Sequence, residues 1–152
     1  MTLGEVRPEH DRQAGSDLVL IHYVRGFAVP VLDVWEFMTE AAKLPSWFGS
    51  IIGDPESGRV TITTLDESLD VQIDRCTAPH RLAVTIDGGV VEVALDQIGV
   101  VTSLELVRRH LHPDQAATVG PRWQYYLDCL EAAVAGQPLP VWSGYADLAT
   151  EY

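Results

Sequence analysis

Few residues of this chain have the chemistry of catalysis or ligand binding, and the most suggestive pair is Tyr23 and Arg25. Successive strand residues alternate between faces, so these two side chains share one face of a strand-like segment. If that face lines a pocket, the Arg25 guanidinium could anchor a ligand carboxylate. Alternatively, Arg25 lies on an exposed sheet face or pairs with a nearby Asp or Glu. The sequence favours this second interpretation.

The histidines and cysteines offer little further chemistry. His110 and His112 could place two imidazoles on one side of an extended segment, but Asp114 is the only close candidate for a third zinc ligand. A solvated connector is the favoured interpretation, and we predict no metal site. Cys76 and Cys129 are far apart and lack a C-x-x-C neighbour, which predicts two buried free thiols rather than a disulfide framework.

The common signatures of enzymes are missing from the sequence, which contains no GxSxG, P-loop, GxGxxG or HExxH motif. We therefore predict no catalytic residue and no cofactor. An enzyme would need an acid or base with a shifted pKa inside a pocket, and the apolar faces of the predicted strands carry few candidates. A binding protein is accordingly favoured over an enzyme.

The composition is that of an ordinary globular protein and restricts its partners. The 152 residues are 47% hydrophobic and 21% charged, which predicts one domain over residues 1–152. The net charge of 10 − 22 = −12 repels phosphate backbones and anionic membranes, so nucleic-acid binding is not expected. No apolar signal region is present and no apolar run approaches the ~20 residues of a membrane span. A cytoplasmic protein without membrane insertion is predicted.

Alternating apolar residues predict an antiparallel meander of strands with one buried face. A strand is predicted at each of six ranges: 18–27, 59–65, 69–75, 81–86, 90–96 and 100–109. The segment Asp87-Gly88-Gly89 is typical of a hairpin turn. Residues 49–58 are predicted to form a loop and residues 110–119 a polar connector.

Two amphipathic helices flank these strands. Pro30 opens the first, whose apolar face recurs at helical spacing in Val31, Val34, Trp35, Met38 and Ala42. A short turn at 44–48 follows it. Pro121 is predicted to open the second helix and Gly136 to end it, with an apolar face of Trp123, Tyr126, Leu127, Leu130 and Val134. Arg122, Asp128 and Glu131 are predicted to be solvated.

The two ends of the chain lie outside this pattern. Residues 1–17 are predicted to be a loose arm or the first strand of a hairpin. Residues 137–152 form a Pro-rich tail containing Trp142, Tyr145 and Tyr152. We expect the tail to pack on the domain, because three free aromatic side chains would be costly in water.

The order of these motifs resembles the family named after the activator of heat-shock-protein-90 ATPase, within the START-like (SRPBCC) superfamily. The resemblance covers residues 18–136 and lies in Ala28, Pro30, Val34, Trp35, Thr39, Leu44, Trp47, Phe48, Arg75, Ala78-Pro79-His80-Arg81-Leu82, Trp123, Tyr126, Leu127, Asp128, Leu130 and Gly136. Ser57-Gly58 stands where the family has Gly-Gly, and Arg122 where it has Gly. The family's chaperone-binding segment has no counterpart, so the co-chaperone activity is not carried over.

The resemblance implies an α+β helix-grip fold. In that fold a curved antiparallel sheet of six or seven strands wraps around the long C-terminal helix, with a short helix pair after the first strand. A cavity between sheet and helix would take a small, mostly apolar molecule. The pocket candidates are Tyr23, Arg25, Trp35, Met38, Trp47, Phe48, Trp123, Tyr126, Leu127 and Leu130.

Three functional hypotheses follow. The leading one is a binding protein for a small hydrophobic or amphipathic ligand. The second is a cyclase- or dehydratase-like enzyme acting on a polyketide-like substrate. Relatives in the wider superfamily resemble enzymes of this kind. The third is an interaction module, either a homodimer or a partner of a stress or regulatory protein, and the aromatic tail motivates it.

Overall fold

The computed structural model describes residues 3–9, 17–64 and 66–152. Eight strands form one antiparallel sheet: β1 (Glu5–Pro8), β2 (Val19–Phe27), β3 (Ser50–Ile52), β4 (Arg59–Thr63), β5 (Ser68–Thr77), β6 (Arg81–Ile86), β7 (Gly89–Ile98) and β8 (Val101–Leu111). The α-helices are α1 (Val31–Thr39) and α2 (Ala116–Ala135), and short 3₁₀ segments lie at Leu44–Ser46, Pro55–Ser57, Pro113–Gln115, Trp142–Gly144 and Ala146–Glu151. The predicted α+β architecture, an antiparallel sheet with a long C-terminal helix, is confirmed.

The strand order is β1-β2-β8-β7-β6-β5-β4-β3, so consecutive strands are neighbours from β3 to β8, and β2 closes back onto β8. The β6–β7 hairpin turns at Asp87 and Gly88, both with positive φ (49° and 79°), as a two-residue primed turn requires. The predicted Asp-Gly turn is therefore confirmed. The sheet has one or two strands more than predicted.

The additional strand is β3, which lies inside the segment predicted to be a loop. Ser50 pairs with Thr63 and Ile52 with Thr61 of β4. Three residues are too few to show an alternating pattern, so the sequence carried no signal for this strand. The chain then turns through the 3₁₀ segment that begins at Pro55.

The start of α2 also differs from the prediction. β8 continues to Leu111 and α2 begins at Ala116, so the predicted polar connector at 110–119 is mostly strand and helix. Pro121 lies inside the helix instead of opening it, where it removes one backbone hydrogen bond. The prediction was wrong because proline is far more frequent at a helix start than in its second turn. Gly136 ends the helix in the left-handed conformation, as predicted.

Helix α2 is attached to β2 on the inner face of the sheet, which we define as the face that packs against α2. The Tyr23 hydroxyl donates to the Gly120 carbonyl over 2.7 Å, and the buried Arg25 reaches Asp128 over 2.6 Å. Around these contacts lies a cluster of fully packed side chains that we call the packed region: Ile21, Tyr23, Phe27, Val34, Trp35, Leu95, Leu104, Leu106, Leu127 and Leu130.

The C-terminal tail lies against α2 and completes this region. The Tyr145 hydroxyl donates to Asp128 over 2.6 Å, and the Tyr152 hydroxyl donates to Gln124 over 3.1 Å. Tyr152 also accepts a hydrogen bond from the backbone N–H of Gly4 over 2.8 Å, which connects the tail to the segment before β1. Within the ranges described, no helix has the length and apolar character needed to cross a lipid bilayer.

Candidate functional site

The candidate site is a cavity of about 370 Å³ on the inner face of the sheet, beside the packed region. Its walls are mostly apolar and comprise Met38, Thr39, Leu44, Trp47, Phe48, Ile51, Pro55, Glu56, Val60, Ile62, Val71, Ile73, Cys76, Leu82, Val84, Ile86, Val91, Val93 and Trp123. We call the part of the molecule formed by these side chains the hollow region. Its volume falls in the usual range of small-molecule sites.

The cavity exists because α2 covers only part of the sheet. The helix packs over β2 and β8, and Trp123 is the one α2 side chain among the lining residues described. Over β4 and β5 the inner face is instead covered by the turn after α1: Leu44, Val60, Ile62, Leu69 and Val71 form a second buried cluster, against which Trp47 and Phe48 pack. The floor there consists of short β-branched side chains such as Val60, Val71 and Val84, which leave space below this cover.

Polar groups are scarce in this cavity. The Thr39 hydroxyl already donates to the Trp35 carbonyl over 2.8 Å. Glu56 is exposed on its 3₁₀ segment, and Cys76 is exposed on β5. A ligand would therefore be held chiefly by burial of apolar surface, worth about 25 cal/mol per Å² of area removed from water.

Cys76 corrects the prediction of two buried thiols. Cys129 is buried in α2, but Cys76 is exposed at the cavity wall. The pairing of β5 with β6 shifts between Ile73 and Arg75, so Cys76 pairs with Leu82. A bulge of this kind reverses the alternation of side chains and brings Cys76 to the face that carries Leu82, itself a lining residue.

Four of the ten predicted pocket residues line the cavity: Met38, Trp47, Phe48 and Trp123. Tyr126 is their immediate neighbour, with its ring 4.7 Å from that of Phe48 in an edge-to-face arrangement. Burial raises the pKa of Tyr126 to about 12, so its hydroxyl stays protonated at neutral pH. These aromatic side chains form the boundary between the hollow region and α2.

The other five predicted residues belong to the packed region or its polar contacts. Tyr23, Trp35, Leu127 and Leu130 are buried in the core cluster, and none of them is among the residues that line the cavity. Arg25 is buried and makes the ion pair that the sequence left open, with Asp128 at 2.6 Å and Glu131 at 3.4 Å.

The prediction that Asp128 is solvated is thereby corrected. The Asp128 side chain is only 19% exposed, because the Arg25 guanidinium and the Tyr145 hydroxyl both contact it. Glu131 is 40% exposed and makes the longer contact with Arg25. A charged helix position that faces a strand arginine looks, in sequence, the same as one that faces water.

A second pocket of about 240 Å³ adjoins the first and shares Ile86 and Trp123 with it. It is more polar, and its lining comprises Glu67, Leu69, Ile86, Asp87, Arg108, Thr118, Val119, Arg122, Trp123 and Tyr126. Arg108 was not among the predicted site residues. A signal was present, because Arg108 continues the alternation of Leu104 and Leu106 toward the inner face.

Two histidines considered as metal ligands have other roles in the structure. His110 contacts the buried Glu9 through Nδ1 at 3.0 Å, and its backbone N–H donates to the same carboxylate over 2.9 Å. His112 precedes the 3₁₀ segment at Pro113, where its backbone N–H donates to Gln115. In the part of the chain that the structure describes, no three His, Cys, Asp or Glu side chains are grouped as metal ligands would be.

Comparisons with known proteins show the fold. No protein-family model matches the sequence, and no curated protein matches it. The structure of CalU16 from Micromonospora echinospora is similar over 99% of this chain and 94% of that chain, with a TM-score of 0.78 and 24% identity. The Aha1 dimer from Colwellia psychrerythraea is similar over 76% of this chain and 95% of that chain, with a TM-score of 0.66 and 15% identity.

A third neighbour, DynU16, is a protein in the dynemicin biosynthetic locus. The similarity covers 80% of this chain but 49% of DynU16, with a TM-score of 0.70 and 19% identity. These neighbours have SRPBCC-type, helix-grip folds, and at such low identity the likeness concerns the fold alone.

Proposed function

We propose that this protein binds a small hydrophobic or amphipathic molecule in the cavity of the hollow region. The observation that carries the proposal is an apolar cavity of about 370 Å³ next to a fully packed core. Native interiors contain few voids larger than a water molecule, so an apolar space of this size is the default candidate for a ligand site.

Val84 offers the most direct way to close the cavity. It pairs with Ile73 on one side and Val91 on the other, and all three line the cavity. In Val84→Phe the added ring would project into the centre of the space. The matched control is Val24→Phe, because Val24 is 46% exposed on β2 and is not a lining residue.

The test uses the neutral fluorophore N-phenyl-1-naphthylamine, whose emission rises in apolar sites. We expect saturable binding to the native protein and to Val24→Phe, and its loss in Val84→Phe with the far-UV circular dichroism unchanged. Binding that survives in Val84→Phe, or that is missing from the native protein, contradicts the proposal. Native mass spectrometry of gently purified protein would then show whether a co-purified molecule is bound.

An enzyme of the cyclase or dehydratase kind is the second candidate, and one comparison favours it. The neighbour DynU16 is a protein in the dynemicin biosynthetic locus. The superfamily that the sequence resembles also has relatives that look like cyclases and dehydratases acting on polyketide-like substrates. Such chemistry needs an acid or base inside the cavity. Among the described lining residues the only carboxylate is the exposed Glu56, so binding without catalysis remains the proposed function.

Several further expectations remain proposals. The resemblance to the activator of heat-shock-protein-90 ATPase family, a cytoplasmic location and the lack of nucleic-acid partners rest on sequence. A homodimer gains support from the dimeric Aha1 neighbour. The interaction-module hypothesis loses part of its motivation, since Tyr145 and Tyr152 of the aromatic tail form hydrogen bonds within the chain. Light scattering coupled to size exclusion would distinguish monomer from dimer.

A further inference from the structure

Arg108 is a cation on the mostly apolar inner face of the sheet. It follows Leu104 and Leu106, both buried, in the alternation of β8. Its cross-strand neighbours are Val91 on β7 and Ile21 on β2, which are also buried. The side chain therefore starts among core residues and is half-buried.

Gly89 provides the space that the guanidinium occupies. Gly89 lies two residues before Val91 on the same face of β7, and a Cβ atom built there would overlap the Arg108 guanidinium. Its backbone is not in the left-handed region, so no turn geometry demands glycine at this position. Because glycine has no side chain, it leaves space for the Arg108 guanidinium.

The Arg108 guanidinium has no acidic partner in the described part of the chain. Two other arginines of this part of the molecule are paired with acids: the buried Arg25 with Asp128, and Arg122, which lines the same pocket as Arg108, with Asp66 at 3.0 Å. Arg108 instead donates one hydrogen bond, to the backbone carbonyl of Arg109. A guanidinium has five N–H donors, so most of this donor capacity is available to a ligand.

This position is electrostatically unfavourable for an isolated cation. Burial lowers the pKa of Arg108, and the nearby charge of Asp87 offsets that effect only in part. The group still carries its charge, because arginine is not deprotonated at neutral pH. A partly buried charge without a partner is costly, and a bound anion would remove that cost through short, charge-assisted hydrogen bonds.

The pocket around Arg108 is continuous with the apolar cavity. The two share Ile86 and Trp123, and Val91 lines the cavity directly opposite Arg108. Opposed residues on adjacent strands have Cβ atoms only about 4.5–5.5 Å apart. A molecule that fills the cavity can thus place one end against the guanidinium without leaving the inner face.

We propose that Arg108 anchors the acidic group of an amphipathic ligand whose apolar body lies in the adjoining cavity. The ligand class is an organic anion, such as a carboxylate or phenolate on an apolar skeleton. This inference rests on the binding function proposed above and makes it narrower. It also replaces Arg25, whose guanidinium pairs within the protein, as the ligand-anchoring arginine.

Two fluorophores of nearly the same shape can test this assignment. The anionic 8-anilinonaphthalene-1-sulfonate differs from the neutral N-phenyl-1-naphthylamine chiefly by its sulfonate. We expect the native protein to bind both dyes. Arg108→Gln should lower the affinity for the anionic dye about 10-fold or more, as for loss of a charge-assisted hydrogen bond. The affinity for the neutral dye should change by less than about 2-fold, since its apolar contacts remain.

Arg109→Gln is the matched control for this substitution. Arg109 is the next residue of β8, has the opposite orientation and pairs with Glu92, so its loss should leave the affinities for both dyes unchanged. If Arg108→Gln fails to fold, Arg108→Lys serves as the test variant, because it keeps the charge but loses the forked donor geometry of the guanidinium. It should give a smaller loss that is again confined to the anionic dye.

The outcomes separate the two proposals. If the native protein binds neither dye, the ligand-binding function itself fails. If it binds both and Arg108→Gln weakens both equally or neither, the cavity is a binding site but the assignment of Arg108 is overturned. A loss confined to the anionic dye in Arg108→Gln, with Arg109→Gln unaffected, supports the assignment.

Discussion

The packed and hollow regions lie on the apolar inner face of one continuous sheet. The packed region is filled by side chains, whereas the hollow region contains a cavity beside a small buried cluster that includes Leu44, Ile62 and Val71. Leu127 and Leu130 of α2 fill the space above β2 and β8 and are at most 1% exposed. Above β4 to β6 the space is left as a cavity. The difference does not come from hydrophobicity, which both regions share. It comes from the path of α2, which supplies a layer of large side chains to only one side.

The pairing of polar groups also differs between the packed and hollow regions. In and beside the packed region several of them pair with one another, as in the contacts of Arg25 and Tyr145 with Asp128. The hollow region has few polar groups, and Arg108 lies at its border without an acidic partner among the described residues. Paired buried groups contribute to the fold, whereas a cation that borders a cavity without an acidic partner is a candidate for ligand contact.

The two cysteines give the largest expected contrast, since Cys76 lines the cavity of the hollow region and Cys129 lies in α2, the helix that contributes Leu127 and Leu130 to the packed region. Cys76 is exposed at the cavity wall, whereas Cys129 is buried and burial raises the pKa of its thiol. Because only thiolates react rapidly, we expect Ellman's reagent to modify Cys76 alone in the native protein and Cys129 only after unfolding in urea. The Cys76→Ser variant should be unreactive until unfolded.

The same reaction reports on the cavity. A ligand in the hollow region should slow modification of Cys76, and N-phenyl-1-naphthylamine serves as the probe. Rapid modification of Cys129 in the native protein would mean that the packed region opens readily, and the contrast between the regions would then be lost.

Two matched leucine substitutions should separate the regions by stability. Leu130 is fully buried in the packed region, while Leu82 is half-buried and already borders the cavity. We expect Leu130→Ala to lower the free energy of unfolding by about 3 kcal/mol, through lost burial plus a new void, and Leu82→Ala by about 1 kcal/mol. Urea unfolding followed by circular dichroism measures both values.

Leu82→Ala enlarges an existing space and should leave the far-UV spectrum unchanged. Equal losses for the two variants would show that the side chains around the cavity collapse into it in solution. The hollow region would then be as well packed as its neighbour.

The sequence predicted the elements better than their contacts. Alternation located the strands, and Asp87-Gly88 located a hairpin, because these are local signals. The start of α2 was missed because Pro121 signals a helix start but lies in the second turn. The face of Cys76 was missed because a bulge in β5 reverses an alternation that looks regular in sequence.

The site was harder to predict for a related reason. Arg25 and Arg108 both follow apolar strand patterns and both face inward. Which of them pairs with α2 depends on where the helix crosses the sheet, and that is a property of the tertiary structure. The same crossing decides that Met38, Trp47, Phe48 and Trp123 line a cavity while Leu127 and Leu130 are core.

The smallest expected difference in stability between the regions comes from removing two tyrosine hydroxyls, one beside each region. Tyr145, in the tail beside the packed region, donates to Asp128 over 2.6 Å, whereas the Tyr126 hydroxyl, at the border of the hollow region, is 3.5 Å from Glu67. We expect Tyr145→Phe to lower the free energy of unfolding by about 1–2 kcal/mol at neutral pH, as for loss of a hydrogen bond to a charged group. Tyr126→Phe should lower it by about 0.5 kcal/mol or less.

The pH dependence of these differences checks their origin. Burial, together with the bond to Asp128, raises the pKa of Tyr145, and burial raises that of Tyr126 to about 12. A raised pKa in the folded state gives stability that is fully present below the unfolded value of about 10 and is lost as the pH rises above it. Phenylalanine cannot ionise, so each variant should approach the native protein in stability above about pH 10. If the stability difference between Tyr145→Phe and the native protein stays constant through this range, the Tyr145 hydroxyl contributes by packing alone. The polar contacts around Asp128 would then stabilise the fold less than the apolar contacts of the packed region.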